Sequence, residues 1–113
     1  MIIVVTELHV KSFWKFFPFI RHSIQSLTQA KKAAGCINAI AGNKGWRIGY
    51  TITAWHDKDA MQHFRNTGAH KLAMKDINRL ASRYKTLVYE SDVLPGWEEA
   101  KEKLAGIGYK HLR

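Results

Sequence analysis

TITAWHDKDAMQHFRNTGAHKLAMK, residues Thr51–Lys75, changes period within 25 residues. Thr51 to Trp55 alternates as a strand does, with β-branched residues at every second position. His56-Asp57 breaks that alternation. Asp57 is a good helix N-cap, Asp59 suits the first turn, and the following helix is predicted to run to about Asn66. Gly68 interrupts the pattern, and Thr67 caps a second helix from near Ala69.

Upstream, the strand ending at Trp55 extends back to Trp46. Trp46, Ile48, Tyr50, Ile52 and Ala54 form an apolar face that requires a core. Arg47, Gly49, Thr51, Thr53 and Trp55 form a mixed face that lines either a pocket or an interface. Gly42-Asn43-Lys44-Gly45 is predicted as the preceding turn, and Cys36 to Ala41 as a short strand before it. Further back, Ile2 to Val10 is β-branched and alternating, a first strand. Between these strands lies Phe13 to Ile20, FWKFFPFI, with Pro18 in the first turn of a helix. Ile20, Ile24, Leu27 and Ala30 recur on it at helical spacing, and Gly35 stops it.

Downstream, Leu72, Ala73, Ile77, Leu80 and Tyr84 are predicted as the buried stripe of the second helix. Lys71, Lys75, Arg79 and Arg83 form a basic ridge spaced by four. Lys85 to Ser91 is a fourth strand, and Leu94-Pro95-Gly96 opens a last helix carrying Trp97, Ala100 and Leu104. The order β-α-β-β-α-β with an added C-terminal helix predicts an α+β, ferredoxin-like sandwich. Residues 1–113 form one expected domain. Helices on one face of the sheet leave the other in need of cover, so a homodimer is expected.

Composition bounds the function. The chain has 46% hydrophobic and 24% charged residues, ordinary values for a globular domain. One cysteine, Cys36, excludes an intrachain disulfide and a CxxC redox site. The absence of HxxH, HExxH and Cys/His clusters predicts no metal site. No apolar run approaches the ~20 residues of a membrane span, and the start lacks a signal peptide's basic region, so a cytoplasmic protein is expected. Eighteen Lys and Arg against nine acids give a net charge of +9. That balance suits anionic partners or a solvated basic surface.

The strand ending in TAW, the acidic turn, the DAMQHF helix and TGAH before the next helix together resemble the antibiotic-biosynthesis-monooxygenase-like superfamily of dimeric α/β barrels. Trp55, Asp57, His63 or Phe64, Thr67 and His70 stand at the positions of that pattern. The resemblance implies a dimeric barrel, a pocket between sheet and helices for a small apolar or aromatic molecule, and cofactor-independent oxygenation. The superfamily also includes haem-binding and haem-degrading proteins and members without a known reaction. The first strand here lacks the Asn of the haem-degrading branch, and the nearest helix positions that align are Phe64 and Met74. The aromatic first helix and VLPGWEEA resemble an uncharacterised branch of the superfamily, one similar to the haem-dependent carotenoid monooxygenase type, so haem is the alternative to having no cofactor.

A cofactor-free oxygenase needs a base that titrates near neutral pH, and His63 and His70 are the candidates. Trp55, Phe64, Met74 and Phe17 are the candidate substrate contacts, with Phe13 to Ile20 as an apolar mouth or a membrane contact. Core packing, helix capping and strand-to-helix anchoring are the structural roles open to the same residues. A non-enzymatic ligand-binding dimer is a further reading. An RNA-recognition module shares the element order, and Lys44-Gly45-Trp46 is similar to its third-strand signature. Ile48 stands where a stacking aromatic belongs, and Ile2 to Thr6 has none, which argues against nucleic acid.

Overall fold

The structure, a computed structural model, describes residues 1–111; within that span the side chains at 69, 70 and 73 lie outside the description. The described elements are β1 (Ile2–Val10), a short 3-10 turn (Phe13–Lys15), α1 (Phe16–Lys32), β2 (Cys36–Lys44), β3 (Ile48–Trp55), α2 (Lys58–Arg65), α3 (Gly68–Leu80), β4 (Ala81–Glu90), α4 (Trp97–Ala105) and β5 (Lys110–His111). The strands form one antiparallel sheet in the order β2-β3-β1-β4-β5. Its four long strands have the ferredoxin-like arrangement, and the fold is α+β.

β1 is the spine, hydrogen-bonded along its length to β3 and to β4. Alternation along β1 then sorts side chains between two layers. Ile3 and Val5 join Tyr50, Ile52 and Ala54 in a core covered by Ala100 and Leu104 of α4. On the opposite face, Trp55 packs with Ala30, Ala39, Met61 and Phe64 under α1 and α2. Both layers are thus built by helices of this chain, and α4 covers part of the face expected to be bare.

Three local expectations give way to longer-range pairing. β2 continues through Gly42 to Lys44, and Gly42 stands opposite Tyr50 instead of in the turn. A Cβ at Gly42 would approach the Trp97 ring at 3.3 Å, so this glycine admits α4 against the sheet. The reversal falls on Gly45, whose φ of +62° is the left-handed conformation glycine tolerates. Tyr84 and Arg83 belong to β4, where nine paired positions against β1 outweigh the helical spacing, so the basic ridge of α3 ends at Arg79. Leu72 and Ile24, expected in buried stripes, are both 59% exposed.

Asp57 caps α2 as its sequence position suggests: its Oδ1 accepts the Ala60 N–H at 2.8 Å. Thr67 occupies the N-cap position of α3, but its hydroxyl donates back to the His63 carbonyl at 2.8 Å. No helix among the described residues is long and apolar enough to cross a membrane.

Candidate active site between the sheet and the helices

A cavity of about 370 Å³ separates the sheet from α1, α2 and α3. Strand register dictates its floor. Thr6 stands opposite Thr51 on one side and Thr86 on the other, so three threonines cross the sheet in a row. Leu8 with Tyr84 and Gly49 forms the next row, and Val4 with Thr53 the row on the other side. Antiparallel partners project to the same face, so the floor is a polar stripe between apolar rows. The Thr6 and Thr86 hydroxyls are 3.2 Å apart and hydrogen-bond each other.

Trp55 and Phe64 line the cavity beside Met61. The Trp55 and Phe64 rings lie 4.9 Å apart and tilt by 30°. The Trp55 indole Nε1–H donates to Thr53 Oγ1 at 2.9 Å, which holds the ring at the end of the floor. Phe19 of α1 reaches down to Gly49, where a Cβ would meet the Phe19 ring at 2.6 Å. Glycine at this position therefore lets the helix approach the strand.

The chemistry of the walls concentrates on α1. His22, Ser23 and Ser26 line the cavity, and His22 and Ser26 are one helical turn apart on the same helix face. His22 Nε2 lies 3.1 Å from Asp76 Oδ2 of α3, and Arg79 Nη2 lies 3.0 Å from the same oxygen. Those hydrogen bonds, from Arg79 first and then His22, hold the Asp76 carboxyl below its ordinary value. An ionised carboxylate only accepts, so the hydrogen bond to Asp76 takes its proton from His22 Nε2, and in the neutral imidazole Nδ1 is then the lone pair. His22 Nδ1 and Ser26 Oγ are buried and have no hydrogen-bond partner among the described residues. A buried polar atom left unpaired costs roughly 1–3 kcal/mol, so both atoms require a ligand or water.

The residues singled out in the sequence take separate places. Trp55, Phe64 and Met74 line the cavity, Met74 at its rim with 41% exposure. His63 is exposed on α2 and does not line it. Phe17 is exposed among the aromatic side chains at the start of α1. The side chain of His70 lies outside the described residues. Sequence reading missed His22, Asp76 and the row of Thr6, Thr51 and Thr86 as a unit. The available signal was weak: His22, Ser23 and Ser26 are small or polar residues in a helix whose apolar members drew the eye. Among the described residues, no group of three or more His, Cys, Asp or Glu side chains could hold a metal ion.

No protein-family model matches the chain, and no curated protein matches it. Solved structures do. A candidate antibiotic biosynthesis monooxygenase from Deinococcus radiodurans superposes with a TM-score of 0.73 at 14% identity, covering 85% of this chain and 97% of that one. One from Nitrosomonas europaea gives 0.71 at 11% identity, over 82% and 100% of the two chains. A variant of SnoaB, a cofactor-independent oxygenase from Streptomyces nogalater, gives 0.66 at 10% identity, over 82% and 94%. The chain therefore has the antibiotic-biosynthesis-monooxygenase-like fold, in agreement with the resemblance carried by Thr51 to Lys75.

Proposed function

We propose that the chain is a cofactor-independent monooxygenase acting on a small apolar or aromatic molecule held over the threonine row. The supporting observation is the pair of unpartnered buried polar atoms, His22 Nδ1 and Ser26 Oγ, in a cavity with an otherwise largely apolar wall. His22 is the base. Asp76 fixes its tautomer and stabilises the imidazolium formed when it takes a proton, the role a carboxylate performs for a histidine base elsewhere. The substrate is one whose anion is electron-rich enough to reduce dioxygen. An activated methylene then becomes a carbonyl: CH2 and O2 enter, and C=O and H2O leave. The apolar wall serves this step by keeping bulk water from the anion. His63 and His70 remain the alternative bases on α2 and α3.

Like the expected homodimer, the single domain spanning residues 1–113 is part of this proposal. Leu87 and Tyr89 remain only half-buried on the α4 face, which leaves room for a second copy. Sedimentation showing monomer alone at micromolar concentration would contradict it.

Oxygen uptake by the purified protein with electron-rich phenols and quinols tests the activity. His22→Ala is expected to lower the rate by about 10²–10⁴-fold, the usual contribution of a general base. Full activity in His22→Ala with loss in His63→Ala or His70→Ala would move the base to α2 or α3. A Soret band on haem titration would replace the cofactor-free reading with a haem-dependent one.

A further inference from the structure

A second group of residues lies outside the cavity and has no part in the proposed reaction. Phe13, Trp14 and Phe17 are 48%, 77% and 51% exposed. Their rings meet edge to face, Phe13 lying 5.6 Å from both Trp14 and Phe17. Beside them is a shallow basic recess lined by Lys11, Arg47, Arg83 and His111, together with Trp46 and with His9, whose Nε2 lies 2.9 Å from Glu7 Oε2. Trp46 belongs to both regions. Its ring meets Phe13 at 5.9 Å, and the Arg47 guanidinium lies 5.3 Å from its centre.

The backbone explains why the cations converge. His9 pairs with Arg83, and Arg83 pairs with His111, so His9, Arg83 and His111 stand in a row across β1, β4 and β5. The register shifts between His9 and Val10, a bulge of the kind that re-aims side chains. The Val10 N–H donates to the Arg47 carbonyl at 2.7 Å and ties the β2–β3 turn to the same spot. The three ion pairs found among the described residues involve none of Lys11, Arg47 and Arg83, and Lys11 Nζ uses one of its three donors on the Asn78 carbonyl at 2.6 Å. Arg83 rests on the Tyr109 ring at 3.9 Å, which leaves the guanidinium edge to bind an oxyanion.

We infer that this contiguous strip docks the protein peripherally on an anionic phospholipid surface. Phe13, Trp14 and Phe17 enter the boundary between headgroups and acyl chains, where amphipathic aromatic rings are favoured. Lys11, Arg47 and Arg83 take the lipid phosphate. Charge selects this occupant over a second copy of the chain, which would bring its own net charge of +9 and an identical basic recess against this one. Ring geometry selects it over single-stranded nucleic acid. At interplanar angles of 75°, 89° and 86° the rings do not form a row of parallel faces on which successive bases could stack.

Co-sedimentation of the intact protein with vesicles tests the inference. Binding is expected to phosphatidylcholine vesicles containing phosphatidylglycerol, with little to phosphatidylcholine alone, and it should weaken as salt rises. Trp14→Ala with Phe17→Ala, and separately Arg47→Gln with Arg83→Gln, should each lower the partition coefficient about tenfold or more while the far-UV spectrum stays native. In the unaltered protein, brominated lipid should quench tryptophan fluorescence only in the anionic vesicles. No vesicle binding by the unaltered protein overturns the inference, whatever the variants do. Binding of glycerol 3-phosphate or single-stranded RNA without vesicle binding would do the same, as would loss of a dimer on substituting Trp14 with no vesicle binding.

Discussion

The two faces of the sheet are made by the same strands, one residue out of step, and they have opposite contents. Ile3, Val5, Tyr50, Ile52 and Ala54 meet α4 in a filled layer. Val4, Thr6, Leu8, Thr51 and Thr53 meet three helices across a cavity. Buried polar groups follow the same division, except that the Tyr89 hydroxyl of the filled face has no partner among the described residues. On the filled face, Glu7 is buried but fully engaged: Tyr109 donates to its carboxylate, His9 lies 2.9 Å from it, and Lys85 is close enough to interact. On the hollow face, His22 Nδ1 and Ser26 Oγ have no hydrogen-bond partner among the described residues. A sheet of this kind can put its stability into one set of alternate residues and leave the other set free for a ligand.

The comparison can be broken by substitution. Leu104, fully buried on α4, is expected to cost about 2–5 kcal/mol as Leu104→Ala, read by urea unfolding, while an apolar aromatic probe still binds the cavity. Equal loss of probe binding and stability would show that the two layers act as one. Thr53→Val removes the acceptor of the Trp55 indole N–H and is expected to cost roughly 1–3 kcal/mol in the same measurement. A neutral result would mean that the indole finds another partner.

Acid separates the faces differently. Burial alone would raise the Glu7 pKa, but the hydrogen bonds from Tyr109 and His9, with Lys85, outweigh it and hold the carboxyl below its usual 4.5. A depressed carboxylate stabilises the folded state fully above its unfolded value and loses that contribution as pH falls through the folded one. The melting temperature should therefore fall below about pH 4.5 and flatten over that range in Glu7→Gln, which should also melt lower at pH 7. An unchanged acid profile in Glu7→Gln would assign the loss to other carboxylates such as Asp76. The smallest effect is expected at the floor itself. Thr6→Val gives up one hydroxyl pair, at most about 1 kcal/mol, and should change ligand affinity more than stability.

Legibility in the sequence follows the range of the interaction. The strand ending at Trp55, the Asp57 cap and the break at Gly68 depend on neighbours within a few residues, and each was readable. So was the division of β3 into an apolar and a mixed face. The His22–Asp76 pair was not, because its partners are 54 residues apart and neither stands in a recognisable pattern. The threonine row needs the register of three strands at once, and Thr6, Thr51 and Thr86 are unremarkable strand residues singly. Gly42 looked like a turn residue because turns favour glycine, yet its cause is a tryptophan from the far end of the chain. Tyr84 fitted a helical stripe until pairing with β1 claimed it.

Asp76 joins the helices above the cavity through His22 while leaving 40% of its side chain in solvent. The clasp between α1 and α3 is thus reachable by ions, whereas Trp55 at the end of the cavity floor is fully buried. Salt should slacken this seam at concentrations that leave the sheet intact. Amide hydrogens of α3 would then exchange sooner than those of β1. Access to the interior then becomes a property of the surrounding solution, and the same residue that hydrogen-bonds His22, the proposed base, also governs how readily the cavity opens.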